Sequence, residues 1–310
     1  MPHTINKSSH QILHVLTYHR VLDKHDPLQP DITTKHQFSF QMGIIKRLFN
    51  VIDLEEAIIQ LKENRLPKRT IAITFDDGYR DNYTTALPIL KKYDLTATFF
   101  LISSAIQNDQ WLWHDLIIEG IRALKTATID LSSLGLQQYP ISNDNEKLVA
   151  TQEILRHIKY LPEPQLKQFI NDFKSLTSIS NNTRFMMSTS EVRELSNEGM
   201  GIGSHAVEHY ILTTQTPSAS RSNIIESKKS IEAMINKPVV LYAYPNGKEK
   251  DFNAEHESII KSTGYLAAFT TCYDKISLSC NDYALPRVSC WPSSRIGQLL
   301  YFIRLAWRVR

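Results

Sequence analysis

Seven short apolar runs of β type punctuate this chain, and most are separated by helical patterns. The runs are Ile12–Tyr18, Ile71–Phe75, Ala97–Ile102, Met200–Ser204, Val239–Tyr244, Leu266–Thr271 and Tyr283–Ser289. Strands that alternate with helices pair in parallel, because each return to the same edge needs a crossover, and the crossover helices then cover the sheet. A barrel or a doubly wound sheet meets that demand. The helices carry their own signals. Thr34-Lys-His-Gln37 is a capping box, and it precedes Phe38, Met42, Ile45 and Phe49 on one face. Ser188-Thr-Ser-Glu191 is a second box, before Val192 and Leu195. Ile224, Lys228, Ile231 and Ile235 mark a helix stopped by Pro238, and another around 255–263 ends at Gly264.

Two runs end in groups that are costly to bury. Ile71–Phe75 stops at Asp76 and Asp77, followed by Gly78 for a sharp turn. Adjacent carboxylates repel, so one needs a cation or a proton. Met200–Ser204 ends at His205-Ala-Val-Glu-His209, which sets two histidines four apart. Two imidazoles and one carboxylate make a three-ligand metal site with a position open for water, and Asp77, His205 and His209 are the expected ligands. A water activated there becomes a nucleophile at neutral pH, and Asp76, which the ion does not need, is placed to take its proton. Because these groups sit at strand ends, the barrel is the favoured topology: barrel enzymes carry chemistry at the C-terminal ends of their strands.

Residues 108–187 break the rhythm and read as a largely helical insertion in one βα connection, with helical patterns near Leu148–Tyr160 and Pro164–Leu176. The segment also carries Trp111-Leu-Trp113-His114-Asp115. The tryptophans read first as packing residues and second as platforms for a sugar ring, while His114 and Asp115 carry no assigned role. The expected architecture is α/β, an irregular (β/α)7-type barrel in one domain over 1–310, which a chain of 310 residues can support.

TFDDGY, residues 74–79, resembles the first signature of the polysaccharide deacetylases, the NodB-homology carbohydrate esterases of family 4 type. Gly203-Ser-His-Ala-Val-Glu-His209 resembles the second, in the same order and at a similar separation. The resemblance runs from about Ile12 to Val288. It implies an irregular TIM-barrel-like fold, with Asp76 as base and Asp77, His205 and His209 on a divalent metal. Zinc suits these ligands, and cobalt, nickel or iron fit the same set. It also implies removal of an N-acetyl group from an amino sugar. Ala206 stands where the family has Ser or Thr, which weakens the support of the histidine loop. Tyr244-Pro-Asn-Gly247 replaces the third signature, leaving Ala243 in place of its arginine. This form resembles the branch that acts in exopolysaccharide and surface-glycan pathways. Asn246 then keeps the position whose backbone N–H helps hold the oxyanion. Arg287, in Leu285-Pro-Arg-Val288, is the expected substitute partner that orients Asp76. The family's late Leu-x-His is absent, and His19, in a Tyr18-His19-Arg20 motif of this branch, becomes the candidate general acid. Tyr79, Arg80, Asp81 and Asn82 fit the family's first loop, with Asp81 shaping it.

Composition sets limits. The net charge of +3 gives no case for nucleic acid. Cys272, Cys280 and Cys290 are odd in number and late, which argues for a reducing compartment and against a disulfide framework or metal ligands. No signal peptide and no membrane-spanning run is read, so a cytoplasmic protein is expected. The tail 293–310 combines apolar bulk with Arg295, Arg304, Arg308 and Arg310. Packing on the barrel is its first reading. The rival is an interfacial helix on an anionic membrane, which would suit a lipid-linked sugar at the inner membrane face. The expected function is metal-dependent N-deacetylation of an amino-sugar glycan or its precursor. The alternatives are hydrolysis of a small non-sugar amide and glycan binding without catalysis.

Overall fold

In a computed structural model, residues 11–180, 183–289 and 294–307 are described. Cys290 and residues 293 and 308–310 of the predicted tail lie outside that set. The seven strands are β1 (Leu13–Tyr18), β2 (Thr70–Phe75), β3 (Thr98–Leu101), β4 (Gly201–Ser204), β5 (Leu241–Ala243), β6 (Ala267–Phe269) and β7 (Val288–Ser289). They pair in parallel in the spatial order β6-β5-β4-β3-β2-β1-β7. The longest ladder joins β1 to β2, from Leu13↔Thr70 to Tyr18↔Phe75. Leu285 bridges Phe269 of β6 just before the chain reaches β7, so the sheet curls round towards β1. The expected barrel is the observed fold.

Two details depart from the sequence reading. The last run shortens from Tyr283–Ser289 to β7, because Pro286 has no N–H to give a ladder and Arg287 N–H turns to the Cys272 carbonyl instead. A two-residue strand, Asn50–Val51, pairs with the start of β2. It was too short to show as an apolar run.

Strand alternation divides the core. Leu13, Val15, Ala72, Phe100, Leu241, Ala243, Ala267, Phe269 and Leu285 share one cluster with Leu54, Ala57, Ile58 and Leu61. Their neighbours Leu16, Tyr18, Ile73, Phe75, Phe99, Tyr242 and Tyr244 face the other cluster, with helical Phe38, Met42 and Ile45. The first parity is the barrel interior. Gly203 belongs to it, and a Cβ there would lie 2.4 Å from the Phe100 ring, so only glycine lets that ring fill the interior.

The helices are α1 (Lys35–Leu48), α2 (Leu54–Lys62), α3 (Leu87–Lys92), α4 (Ser103–Asn108), α5 (Trp113–Ala123), α6 (Asp144–Ile158), α7 (Glu163–Thr177), α8 (Thr189–Asn197), α9 (Pro217–Ile235), α10 (Ala254–Ser262) and α11 (Arg295–Trp307). Both capping boxes, Thr34/Gln37 and Ser188/Glu191, are formed in full. Between β3 and β4, α5, α6 and α7 pack on one another around Ile117, Ile121, Ile154, Ile158, Phe169 and Phe173. That group has its own buried cluster, drawn from residues 111–173. A small antiparallel hairpin, Thr128–Asp130 with Gln138–Pro140, sits beside it. α11 packs on α1 and buries Phe302, Leu305 and Ala306. Its outer side leaves Ile296, Leu299, Leu300 and Trp307 exposed. No helix among the described residues is long and apolar enough to cross a membrane.

Candidate active site

The interior parity carries straight on past the strand ends. Val15, Thr17 and His19 share it on β1, and Ala72, Thr74 and Asp76 on β2. Gly203 and His205 follow on β4, and Leu285, Arg287 and Ser289 at β7. One cavity of roughly 530 Å³ is lined by Thr17, His19, Asp76, Asp77, His205, His209, Asn246 and Ser289, among others. Arg287 lies beneath it, buried.

Asp77, His205 and His209 bring their ligand atoms within 4.8 Å of one another. His205 Nδ1 lies 2.7 Å from the Ala243 carbonyl, so that nitrogen carries the proton and Nε2 faces Asp77 with a bare lone pair. Nε2 of His205 is 3.5 Å from Asp77 Oδ1, and Nε2 of His209 is 3.4 Å from it. That Oδ1 is fully buried without a hydrogen-bond partner among the described residues. An orphaned carboxylate oxygen facing two imidazole nitrogens fits a divalent cation and little else. Burial, then the Asp76 charge, push the Asp77 carboxyl well above its ordinary range. Burial pushes His205 down to about 4, against the pull of Asp76. Burial and the His205 charge hold His209 well below its usual value. Without a cation, burial thus favours the neutral form of each of the three, and a cation would reverse the preference at Asp77.

Asp76 is held differently. Arg287 donates from both terminal nitrogens to its two oxygens at 2.7 Å. The guanidinium is fixed in turn by Nε donating to the Thr270 carbonyl at 2.9 Å. Burial raises the Asp76 carboxyl, but the charges of Arg287 and His205 outweigh it and hold it down at about 2. It is ionised at neutral pH, and each oxygen keeps a lone pair beyond the Arg287 contact.

His19 faces the cavity within reach of Asp76, and burial lowers its pKa. Its backbone is tied by Asn82, which donates to the His19 carbonyl at 2.8 Å. Asp81 accepts from Arg20 Nε and from Val21 N–H, both at 2.9 Å, so the first loop braces the end of β1. Asn246 lines the same cavity, and its side-chain Nδ2 is buried without an acceptor among the described residues. His114 is less free. Its Nε2 is 2.8 Å from the Tyr79 hydroxyl, which donates its one proton to Asp115, so Nε2 must be the donor. Trp113 lines the cavity and donates from Nε1 to the His209 carbonyl at 2.9 Å. Trp111 is a packing residue, buried and stacked on Phe185.

Three non-glycine residues of the site have left-handed backbones: Asp77 (φ 76°), Ala206 (φ 74°) and Asn246 (φ 60°). Each costs about 1–3 kcal/mol, and such strain gathers where geometry serves function. The histidine loop is supported without a hydroxyl at Ala206. Ser103 N–H donates to the Ala206 carbonyl at 3.2 Å, and Ser104 Oγ to that of Val207 at 2.6 Å. Asn223 Oδ1 accepts from Val207 N–H at 2.6 Å and from Glu208 N–H at 3.3 Å. Sequence reasoning missed Asn223, which lies mid-helix on α9 with no motif around it.

The family model described as polysaccharide deacetylase matches residues 63–268. The YxkH protein of Bacillus subtilis is 25% identical over 245 residues, which cover 79% of this chain and 60% of that protein. The poly-β-1,6-N-acetyl-D-glucosamine N-deacetylase of Staphylococcus epidermidis is 29% identical over 169 residues, 47% of this chain and 58% of that protein. The chain thus spans about 60% of the length of these curated relatives. Among solved structures, the Streptococcus pyogenes deacetylase PplD in complex with acetate superposes with a TM-score of 0.64 at 20% identity, over 94% of this chain and 98% of that one. IcaB from Ammonifex degensii gives a TM-score of 0.62 at 17% identity, over 94% and 96%. At such identities the superpositions are a likeness of fold.

Proposed function

This chain belongs to the polysaccharide deacetylase family, and on that premise we propose that it is a metal-dependent hydrolase removing N-acetyl groups from an amino-sugar glycan or glycan precursor. The observation that carries the reading is the orphaned Oδ1 of Asp77 facing His205 and His209, one residue from a carboxylate gripped by Arg287. The relative in Staphylococcus epidermidis is named for N-deacetylation of a glucosamine polymer, which supports the substrate class.

Asp77, His205 and His209 would hold the ion, with zinc the proposed metal. When bound, the ion supplies the Lewis acidity that polarises the acetyl carbonyl and acidifies water. Asp76, ionised and oriented by Arg287, accepts the proton of the attacking water. The water oxygen bonds to the acetyl carbon and the carbon–nitrogen bond breaks. Asn246 offers N–H donors to the oxygen on which charge develops. His19 gives the leaving nitrogen its proton, so acetate and a free amino sugar result. Burial favours the neutral form of His19, so the proton it delivers is the one Asp76 took from the water, passed on to His19 before the carbon–nitrogen bond breaks.

The proposal extends to a lipid-linked acceptor, with the exposed side of α11 resting on an anionic membrane. Arg304 is exposed on the same helix, Arg295 turns to His36 and Phe40 of α1, and the described helix has no acidic residue.

The test is acetate release from N-acetylglucosamine oligomers by chelated protein refilled with zinc, with Asp77→Ala alongside. Zinc-dependent release that the variant lacks is the expected result. No release from any N-acetylated sugar by wild type with zinc measurably bound would sink the reading.

A further inference from the structure

The cavity over Asp77, His205 and His209 has two unlike walls. The strand ends supply one. The other is built by Arg156 and Lys159 at the end of α6, with Lys248 rising from the loop after β5. Among the described residues none of these three cations forms an ion pair. Lys248 is tethered at the cavity by its ammonium, 3.4 Å from the Thr271 carbonyl. Lys250 stands close behind, its ammonium 3.9 Å from the centre of the Tyr160 ring. Asp251 is the acid facing Lys159, and one of its oxygens is spent on the Lys248 N–H. At the floor, Arg287 already neutralises Asp76, and a divalent ion, which Asp77 would hold, would leave that corner positive. Cations outnumber acids around the whole cavity.

Such a wall gives a neutral sugar little. Lys159 is half-buried, and burial lowers its pKa against the pull of Asp251, with the Lys248 and Lys250 charges adding to burial. A carboxylate would be met by one guanidinium fork. Three unpaired cations from two chain segments match the several oxygens and higher charge of a phosphate or diphosphate. We propose that Arg156, Lys159 and Lys248 form a phosphate subsite, and that the amino sugar presented to Asp77, His205 and His209 carries a phosphate on its reducing end. The inference rests on the deacetylase reading for the sugar's chemistry, while the anion site stands on the cavity wall itself. Phosphate at that position is the shared chemistry of nucleotide-linked and polyprenyl-linked sugars.

The test compares kcat/KM of the zinc-loaded full chain on N-acetylglucosamine 1-phosphate and on methyl N-acetylglucosaminide. The phosphate ester is expected to win at least tenfold, with the advantage shrinking as salt rises. The Arg156→Gln/Lys159→Gln double variant should cut that ratio about tenfold or more, and Lys248→Gln should move it the same way. UDP-N-acetylglucosamine and farnesyl-diphosphate N-acetylglucosamine then separate the two sources, and preference for either over the methyl glycoside supports the subsite. Equal kcat/KM for the phosphate ester and the methyl glycoside overturns it. A second readout needs no chemistry: calorimetry of glucose 1-phosphate with metal-free protein. Binding that the double variant loses, with no acetate from any substrate, would fail the deacetylase reading and keep the subsite. Acetate release without such binding would do the reverse.

Discussion

Arg287 closes on Asp76 from 211 residues along the chain, each terminal guanidinium nitrogen 2.7 Å from one carboxylate oxygen. Both side chains are buried, so each charge depends on the other. Removing one partner of such a pair costs about 3–5 kcal/mol, because the survivor is left without compensation. Arg287→Met should therefore unfold at markedly lower denaturant. Arg287→Lys keeps the charge but loses the two-point grip, and should fall between. In whatever Arg287→Met remains folded, Asp76 regains a higher pKa and the acid limb of the activity profile moves to higher pH. An unchanged denaturation midpoint in Arg287→Met would dismiss the pair as structural support.

The same pair predicts an acid transition. The folded Asp76 carboxyl sits at about 2, against 3.8 when unperturbed. A depressed carboxylate stabilises the fold above its unfolded pKa, and that contribution fades as pH falls through the folded one. Between about pH 4 and pH 2 the protein should lose about 2 kcal/mol from this group. Denaturation of metal-free protein at successive pH values measures it. An Asp76→Asn/Arg287→Gln double variant should lack that part of the slope.

Asp77 has the opposite sign. Its raised folded pKa stabilises metal-free protein at low pH, and the benefit disappears as pH rises through it. Asp77→Asn is then close to neutral in metal-free protein, and asparagine tolerates the φ of 76° at this position as well as aspartate does. Zinc reverses the ranking, because only the carboxylate binds it. At free zinc a hundredfold above Kd, wild type should gain about 2.7 kcal/mol. The gain at a fixed zinc concentration should be larger at pH 8 than at pH 6, since Asp77, with its raised pKa, must shed its proton to bind. Thermal melts of both proteins with and without zinc check this. A zinc shift of wild-type size in Asp77→Asn would remove Asp77 from the ligand set.

The barrel and the centre of the site were legible because strand physics writes both. Apolar runs located all seven strands, and the period of two that buries Val15, Ala72 and Leu285 also points His19, Asp76 and Arg287 inward. Arg287 was singled out by the resemblance, as the substitute for the arginine missing at Ala243, and its place at the end of the last run agreed. What stayed hidden depends on tertiary placement. Arg156 and Lys159 are ordinary charges on a helix until the packing of α6 sets them against the cavity. Asn223 is one polar residue on α9, and its partners lie sixteen and fifteen residues away. Thr128–Asp130 and Gln138–Pro140 are too short and too polar for their hairpin to show as apolar runs.

Asn223 supplies the support that Ala206 does not. Its carbonyl oxygen gathers the N–H groups of Val207 and Glu208, between His205 and His209. Asn223→Ala leaves those donors unsatisfied in a part-buried loop and should cost about 1–3 kcal/mol. Loss of such outer support weakens metal sites about 10–100-fold, so zinc affinity by competition titration should drop by that order. Asn223→Asp keeps the acceptor and should restore most of it. Wild-type zinc affinity in the alanine variant would show that Ser103 and Ser104 suffice.

The last helix splits its apolar residues between two sides. Phe302, Leu305 and Ala306 are buried in the core, while Ile296 is 73% exposed and Trp307 60%. Exposed Leu299 and Leu300 add to the outer side, and burying that much apolar surface in water's place is favourable by about 25 cal/mol for each Å² covered. With Arg304 exposed on the same helix, the proposed surface for this side is an anionic bilayer. The protein should sediment with vesicles containing phosphatidylglycerol and not with neutral phosphatidylcholine vesicles, and added salt should release part of it. Ile296→Ser/Leu300→Ser should abolish sedimentation while the thermal midpoint stays near wild type, because neither side chain is buried in the core. Equal binding by the variant would leave the outer side without a role at the membrane. The helix would then serve the fold alone, through Phe302, whose ring meets that of Phe49 at 6.2 Å.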